Sequence, residues 1–155
     1  YMEYNFKVKK LSKKFYDNYP AEKFPEILCK ESRCYNCIIL EAQNYIICIP
    51  FRTNMNHSNG YHFTNSKRSQ KHNSGLDYSK MVIINNLDYI EQEDGIIDTD
   101  EYREMVQHIN IIVEDCLKYL NTYIEFKKGN KIIHSKMFAR MYGFSTLKYF
   151  EDIIL

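Results

Sequence analysis

The 155-residue chain has no tryptophan, three prolines, five glycines and no long apolar run. A bilayer-spanning helix needs about 20 consecutive apolar residues. The best runs here, Ile38 to Leu40 and Tyr45 to Phe51, are far shorter, so no membrane segment is expected. The start lacks the charged, apolar and small-residue succession of a secretory leader, and a cytoplasmic location is expected. Little Gly and Pro beside 15% aromatic residues exclude a disordered chain and point to one domain over 1–155. Five cysteines are an odd set, better read as reduced core thiols than as a disulfide framework. Cys34 and Cys37 have the spacing of half a zinc knuckle, but no second ligand pair follows. Glycine-rich phosphate loops, the G-x-S-x-G elbow and the H-E-x-x-H zinc motif are all missing.

What is present is an uneven charge distribution. The net charge of +1 hides a basic first half: residues 51–80 carry Arg52, Lys67, Arg68, Lys71 and Lys80 against Asp77 alone. Residues 81–100 carry six acids and no base. One face can therefore attract phosphate despite a near-neutral total. Carboxylates are thin in the basic half, with Glu41 and Asp77 the main ones. Magnesium-assisted phosphoryl chemistry uses clustered carboxylates, so metal-free chemistry is expected if the protein is an enzyme.

Hydrophobic spacing gives the elements. Tyr4 to Val8 reads as an edge strand and Leu11 to Asp17 as a short helix. Tyr35 to Leu40 and Tyr45 to Ile49 read as a buried hairpin turning at Ala42 to Asn44 and ended by Pro50. Lys80 to Ile84 reads as a core strand, Glu91 to Gly95 as an acidic turn, and Ile96-Ile97 as a last short strand. Thr99 is placed as the N-cap of a long helix near 100–128 whose stripe runs from Tyr102 and Met105 to Tyr123 and Ile124. At 1.5 Å per residue it would be roughly 42 Å long, so it crosses the whole sheet or kinks once. Lys131 to His134 reads as strand, Ser135 to Tyr142 as a helix broken at Gly143, and Ser145 as the cap of a final helix. The expected class is α+β, with a mostly antiparallel sheet and flanking helices.

Two polar loops, Arg52 to Gly60 and Asn65 to Gly75, are the candidate sites, because a small domain rarely carries long loops without function. They read either as solvated surface or as a cleft bringing Arg52 and Thr53 near Ser66, Lys67, Arg68 and Lys80. Hydroxyl, guanidinium, ammonium and imidazole together suit a phosphate group. His57, among Asn and Ser, is a candidate proton-transfer group. His62 is either a buried imidazole or a cleft residue. Bases interleaved with aromatics, as around Tyr35, Tyr61 and Tyr78, suit stacking on unpaired nucleotides.

The stretches RCYNCIILE (33–41), YIICIPFRT (45–53), FTNSKRS (63–69), SGLDYSKMVI (74–83) and FSTLKYF (144–150) follow one another in a familiar order. Together they make the chain resemble the toxins of type III toxin-antitoxin systems, the ToxN/AbiQ family, and within it the CptN/TenpN branch. The resemblance implies a strongly twisted antiparallel sheet with a Kid/MazF-like core. It implies a metal-independent endoribonuclease that cuts single-stranded mRNA and its own repeat-containing precursor RNA. Its partner would be a small non-coding antitoxin RNA, a pseudoknot that inhibits the toxin in a closed protein–RNA assembly. Cleavage would run by 2′-OH attack, leaving a 2′,3′-cyclic phosphate and a 5′-OH.

Residue by residue, Thr53 stands at the family's key hydroxyl position, with Arg52 replacing the Thr before it. Arg33 matches a functional Lys ahead of the first hairpin strand, whereas a second functional Lys falls on Met55. The implied roles are phosphate grip for Arg33 and Arg52, orientation of the in-line attack for Thr53, and proton donation by Lys67 or His57. Tyr35, Asn54, His62, Ser66 and Arg68 are expected to contact RNA. So are Lys71, Tyr78, Ser79 and Lys80. The alternative reading is an RNA-binding protein that does not cut; a metal-dependent nuclease is a third.

Overall fold

The computed structural model describes residues 4–29 and 35–155. Arg33 and Cys34 thus lie outside the described residues. Seven strands form one sheet: β1 (Phe6–Leu11), β2 (Asn36–Ala42), β3 (Tyr45–Arg52), β4 (Gly60–His62), β5 (Gly75–Asp77), β6 (Val82–Ile84) and β7 (Ile90–Asp94). The order is β4-β5-β3-β2-β1-β7, with β6 also beside β3. Every pairing among the described residues is antiparallel. The architecture is α+β.

The hairpin β2–β3 turns where expected. Gln43 and Asn44 have φ of 54° and 71°, the two positive values that a two-residue hairpin turn demands. Pro50 does not end β3, which runs on to Arg52. The strand exchanges its outer neighbour there: residues 46–48 pair with β6, whereas Phe51 and Arg52 pair with β5. Pro50 sits between the two ladders, where its missing N–H interrupts neither.

β1 is not an edge strand; it lies between β2 and β7. The acidic segment expected as a turn is β7 itself, at the sheet edge, with Lys9 bridging to Asp94 at 2.9 Å. Charged residues suit such an edge because they discourage further pairing. Ile96-Ile97 and Lys131 to His134 form no strand.

The helices are α1 (Lys13–Asn18), α2 (Lys67–His72), α3 (Thr99–Gln107), α4 (Ile109–Lys127), α5 (Ser135–Tyr142) and α6 (Glu151–Ile154). The long helix is broken at His108, whose φ of −114° and ψ of 18° leave the helical region. Asp98, not Thr99, caps α3, accepting from the amides of Asp100 and Glu101. The break separates two burial patterns. α4 keeps its apolar stripe, burying Ile112, Val113, Cys116, Leu120, Tyr123 and Ile124. α3 instead buries Glu101, Glu104 and Met105 and exposes Tyr102 and Val106. α2 lies inside the second polar loop, capped by Ser66. α5 has the bounds expected, and Ser145 accepts from the Leu147 amide at the start of the final helical turns. Cys37, Cys48 and Cys116 are core residues. No helix is long and apolar enough to cross a membrane, among the described residues.

Candidate functional site

β3, β5 and β4 lie side by side, and Arg52, Gly75 and His62 stand in one row across them. Partners in such a row share a face of the sheet. Two residues on, Asp77 lies on the same face, fully buried. Its Oδ2 accepts from Arg52 Nη1 at 2.9 Å and from His57 Nε2 at 3.0 Å. Its Oδ1 accepts from the Ser79 amide at 3.0 Å and from the Ser79 hydroxyl. Burial alone would raise the Asp77 pKa; the hydrogen bonds from His57, Ser79 and Arg52 outweigh it and hold it below the usual range. Asp77 therefore stays ionised and fixes Arg52 at the end of β3.

The loop 53–59 folds back over this face. Asn54 takes a left-handed φ of 56°, and its amide donates to the His72 carbonyl. The Met55 amide donates to Asn73 O at 3.1 Å. These bonds bring the C-terminal end of α2 to Thr53. Lys71 lies in that last turn, while Lys67 is one turn further off, about 6 Å along the axis. Met55 is buried. A Cβ on Gly75 would come within 2.4 Å of Met55 Cε, and one on Gly60 within 2.9 Å. Two glycines thus leave the trough that Met55 fills. The position where the resemblance expects a functional Lys is here a packing residue.

Both nitrogens of His57 are occupied: Nε2 meets Asp77, and Nδ1 accepts from the Asn59 amide at 3.0 Å. The hydrogen-bond pattern puts its proton on Nε2, aimed at the carboxylate. His62 is exposed rather than buried, and its Nε2 donates to the His57 carbonyl at 2.7 Å. Thr53 is half-buried, and its hydroxyl has no hydrogen-bond partner among the described residues.

The second loop is held from below by α3. Glu104 accepts from Tyr61 Oη at 2.7 Å, from the Thr64 amide at 3.0 Å and from the Asn65 amide at 2.9 Å. Glu101 accepts from Ser66 Oγ at 2.9 Å and Ser74 Oγ at 2.7 Å. Arg68 Nε stands 3.8 Å from the same carboxylate. Burial, followed by the Glu104 bond and charge, pushes the Tyr61 phenol well up. The carboxylates that seemed thin around the basic loops are thus supplied from the helix and turned inward.

The expected basic patch is partly neutralised. Arg52 pairs with Asp77, Arg68 approaches Glu101, and Lys80 is held by Glu26 Oε1 at 3.0 Å and Phe144 O at 2.7 Å. Lys67 and Lys71 are exposed and have no ion pair among the described residues. Ser66, Tyr78 and Ser79 are buried, so they shape the loops rather than meet a ligand. Tyr35 is half-buried and Asn54 exposed. Among the described residues, no group of three or more His, Cys, Asp or Glu is placed to hold a metal ion. One cavity of about 900 Å³ among the described residues is lined by Phe6, Leu40, Ile46, Leu117 and others. It carries none of the phosphate-binding groups.

Sequence reasoning missed Asp77, Glu101 and Glu104. The local pattern Asp77-x-Ser79, a carboxylate capping its own turn, was a usable signal for the first. Glu101 lay hidden as an ordinary first-turn acid. Compared with known protein families, curated proteins and solved structures, the chain matches none.

Proposed function

We propose that the protein is a metal-independent endoribonuclease, a type III toxin of the ToxN/AbiQ kind with a Kid/MazF-like core. The observation that carries this reading is the end of β3. Arg52 is pinned by a buried carboxylate, and the next residue, Thr53, carries a hydroxyl with no hydrogen-bond partner among the described residues, at the start of a loop bonded to the C-terminal end of α2. Arg52 spends Nη1 on Asp77 and keeps its remaining donors for a non-bridging phosphate oxygen. The Thr53 hydroxyl orients the phosphate or the ribose 2′-OH for in-line attack. No protein nucleophile is needed, because the RNA carries its own.

With both His57 nitrogens engaged, the proton for the leaving 5′-oxygen falls to a lysine of α2. Lys71, in the last turn of α2 next to the His72 and Asn73 carbonyls that hold the loop, is the first candidate, and Lys67, one turn earlier, the second. Arg33 would add positive charge from ahead of β2. The natural partner of such a cleft is a small folded antitoxin RNA that occupies it, in competition with single-stranded mRNA.

The test is incubation of the protein with A-rich single-stranded RNA in excess EDTA. Cut strands with 2′,3′-cyclic phosphate ends are expected. Intact RNA that is still retarded in a gel would favour the binding protein that does not cut.

A further inference from the structure

Between Glu125 and Glu151 the chain carries Lys127, Lys128, Lys131, Lys136, Arg140 and Lys148 and not one acid. Lys127 reaches Glu151 at 3.7 Å, while Lys128, Lys131, Lys136 and Arg140 are exposed with no ion pair among the described residues. Lys136, Arg140 and Phe144 follow at intervals of four, which places the two cations one turn apart on one side of α5 and the ring just beyond its end. Phe144 is 76% exposed and Met137 52% exposed. Large apolar side chains left in water beside unpaired cations suggest a surface with a partner.

The helix that carries this surface is joined to the Asp77 network. The inner side of α5 is consumed by the core: Tyr142 Oη donates to Tyr119 O, and Tyr119 Oη donates back to Met141 O, both at 2.7 Å. Asn59, whose amide holds His57, also donates from its side chain to Arg140 O at 3.2 Å and Met141 O at 3.3 Å. Lys80, three residues past Asp77, anchors the Phe144 carbonyl. The C-terminal end of α5 is therefore tied through Asn59 and Lys80 to the two segments that flank Asp77.

We propose that the outer face of α5, through Lys136, Arg140 and Phe144, binds the single-stranded flank of an RNA whose phosphate lies at Thr53. The inference rests on the RNA reading of that site. Charge complementarity selects a polyanion. An exposed ring next to two cations suits stacking on an unpaired base. An eight-residue helix whose apolar side is already spent inside the protein does not suit insertion into a membrane.

The experiment is fluorescence anisotropy with uncleavable 2′-O-methyl oligo(A) of 6 and 18 nucleotides, over a range of salt. Each phosphate contact on a single strand adds about 0.7 to the salt slope. Lys136→Gln with Arg140→Gln is therefore expected to lower the slope for the longer strand by about 1.4 and leave the shorter one unchanged. Phe144→Ala is expected to weaken the longer strand about tenfold. Lys10→Gln, on β1, should alter neither. A fallen slope in a protein that binds but never cleaves RNA upholds the surface and removes the enzyme reading. An unchanged slope in a protein that cleaves RNA overturns the surface and leaves the enzyme. An unchanged slope with weakened binding to phosphatidylserine vesicles overturns it in favour of a membrane. No binding of either strand overturns both readings.

Discussion

Asp77 is a carboxylate with four donors and no exposure to solvent. Its pKa is lowered on folding, so its contribution to stability is complete above the ordinary aspartate range near 3.9 and is lost as pH falls through the native value. Asp77→Asn would confront the Arg52 and His57 donors with an amide. A loss of about 3 kcal/mol in urea unfolding at neutral pH is expected, shrinking as the wild type is itself acidified below pH ~4. Equal losses at both pH values would contradict the assignment. Met55 gives a second prediction. Met55→Ala should cost about 2–4 kcal/mol by opening a cavity over Gly60 and Gly75. Met55→Lys, the residue that the resemblance expects, should destabilise rather than activate, because the trough has no partner for an ammonium. A Met55→Lys protein that is as stable as wild type and cleaves faster would overturn the packing role.

At the scale of elements, the break at His108 turns α3 so that it presents Glu101 and Glu104 to the loop 60–75 instead of an apolar stripe to the core. Glu104→Gln retains one acceptor oxygen where two are in use. Amide exchange at Thr64 and Asn65 is expected to quicken, with a stability loss of about 1–3 kcal/mol. Unchanged exchange there would mean that the loop holds its shape unaided. Gly75→Ala should fail in the same region, since its Cβ would lie 2.4 Å from Tyr61 O. The hairpin β2–β3 and the helix α5 were legible in the chain because their signals are local: continuous apolar runs about a positive-φ turn, and a helical stretch ended by glycine. β7 was not, because four of its five residues are exposed and its pairing depends on Lys9, 85 positions from Asp94. The length of the long helix already allowed for a kink, but its position was hidden, since no glycine or proline marks His108.

Over the whole molecule, charge is sorted by face. The acids of 88–94 line one sheet edge beside β1, while the opposite edge carries β4, β5 and the loops with Lys67, Lys71 and, through Asn59, the basic surface of α5. The uneven charge was visible in the sequence. The neutralisation of Arg52, Arg68 and Lys80 was not, because each meets an acid 25 or more residues away. The two polar loops could be picked out in the sequence and the fold brings them together, while their internal wiring came only with the fold.

The account turns on whether RNA is cut through its own 2′-OH at a phosphate held beside Thr53. The most direct measurement is end analysis of A-rich single-stranded RNA after incubation in excess EDTA with wild type and Thr53→Ala, alongside a strand bearing one 2′-deoxy nucleotide at the cut. The prediction is 2′,3′-cyclic phosphate and 5′-OH ends from wild type, none at the deoxy position, and a rate lower by about 10²–10³ in a folded Thr53→Ala protein. Ends bearing 3′-OH and 5′-phosphate, or full activity in Thr53→Ala, would contradict it.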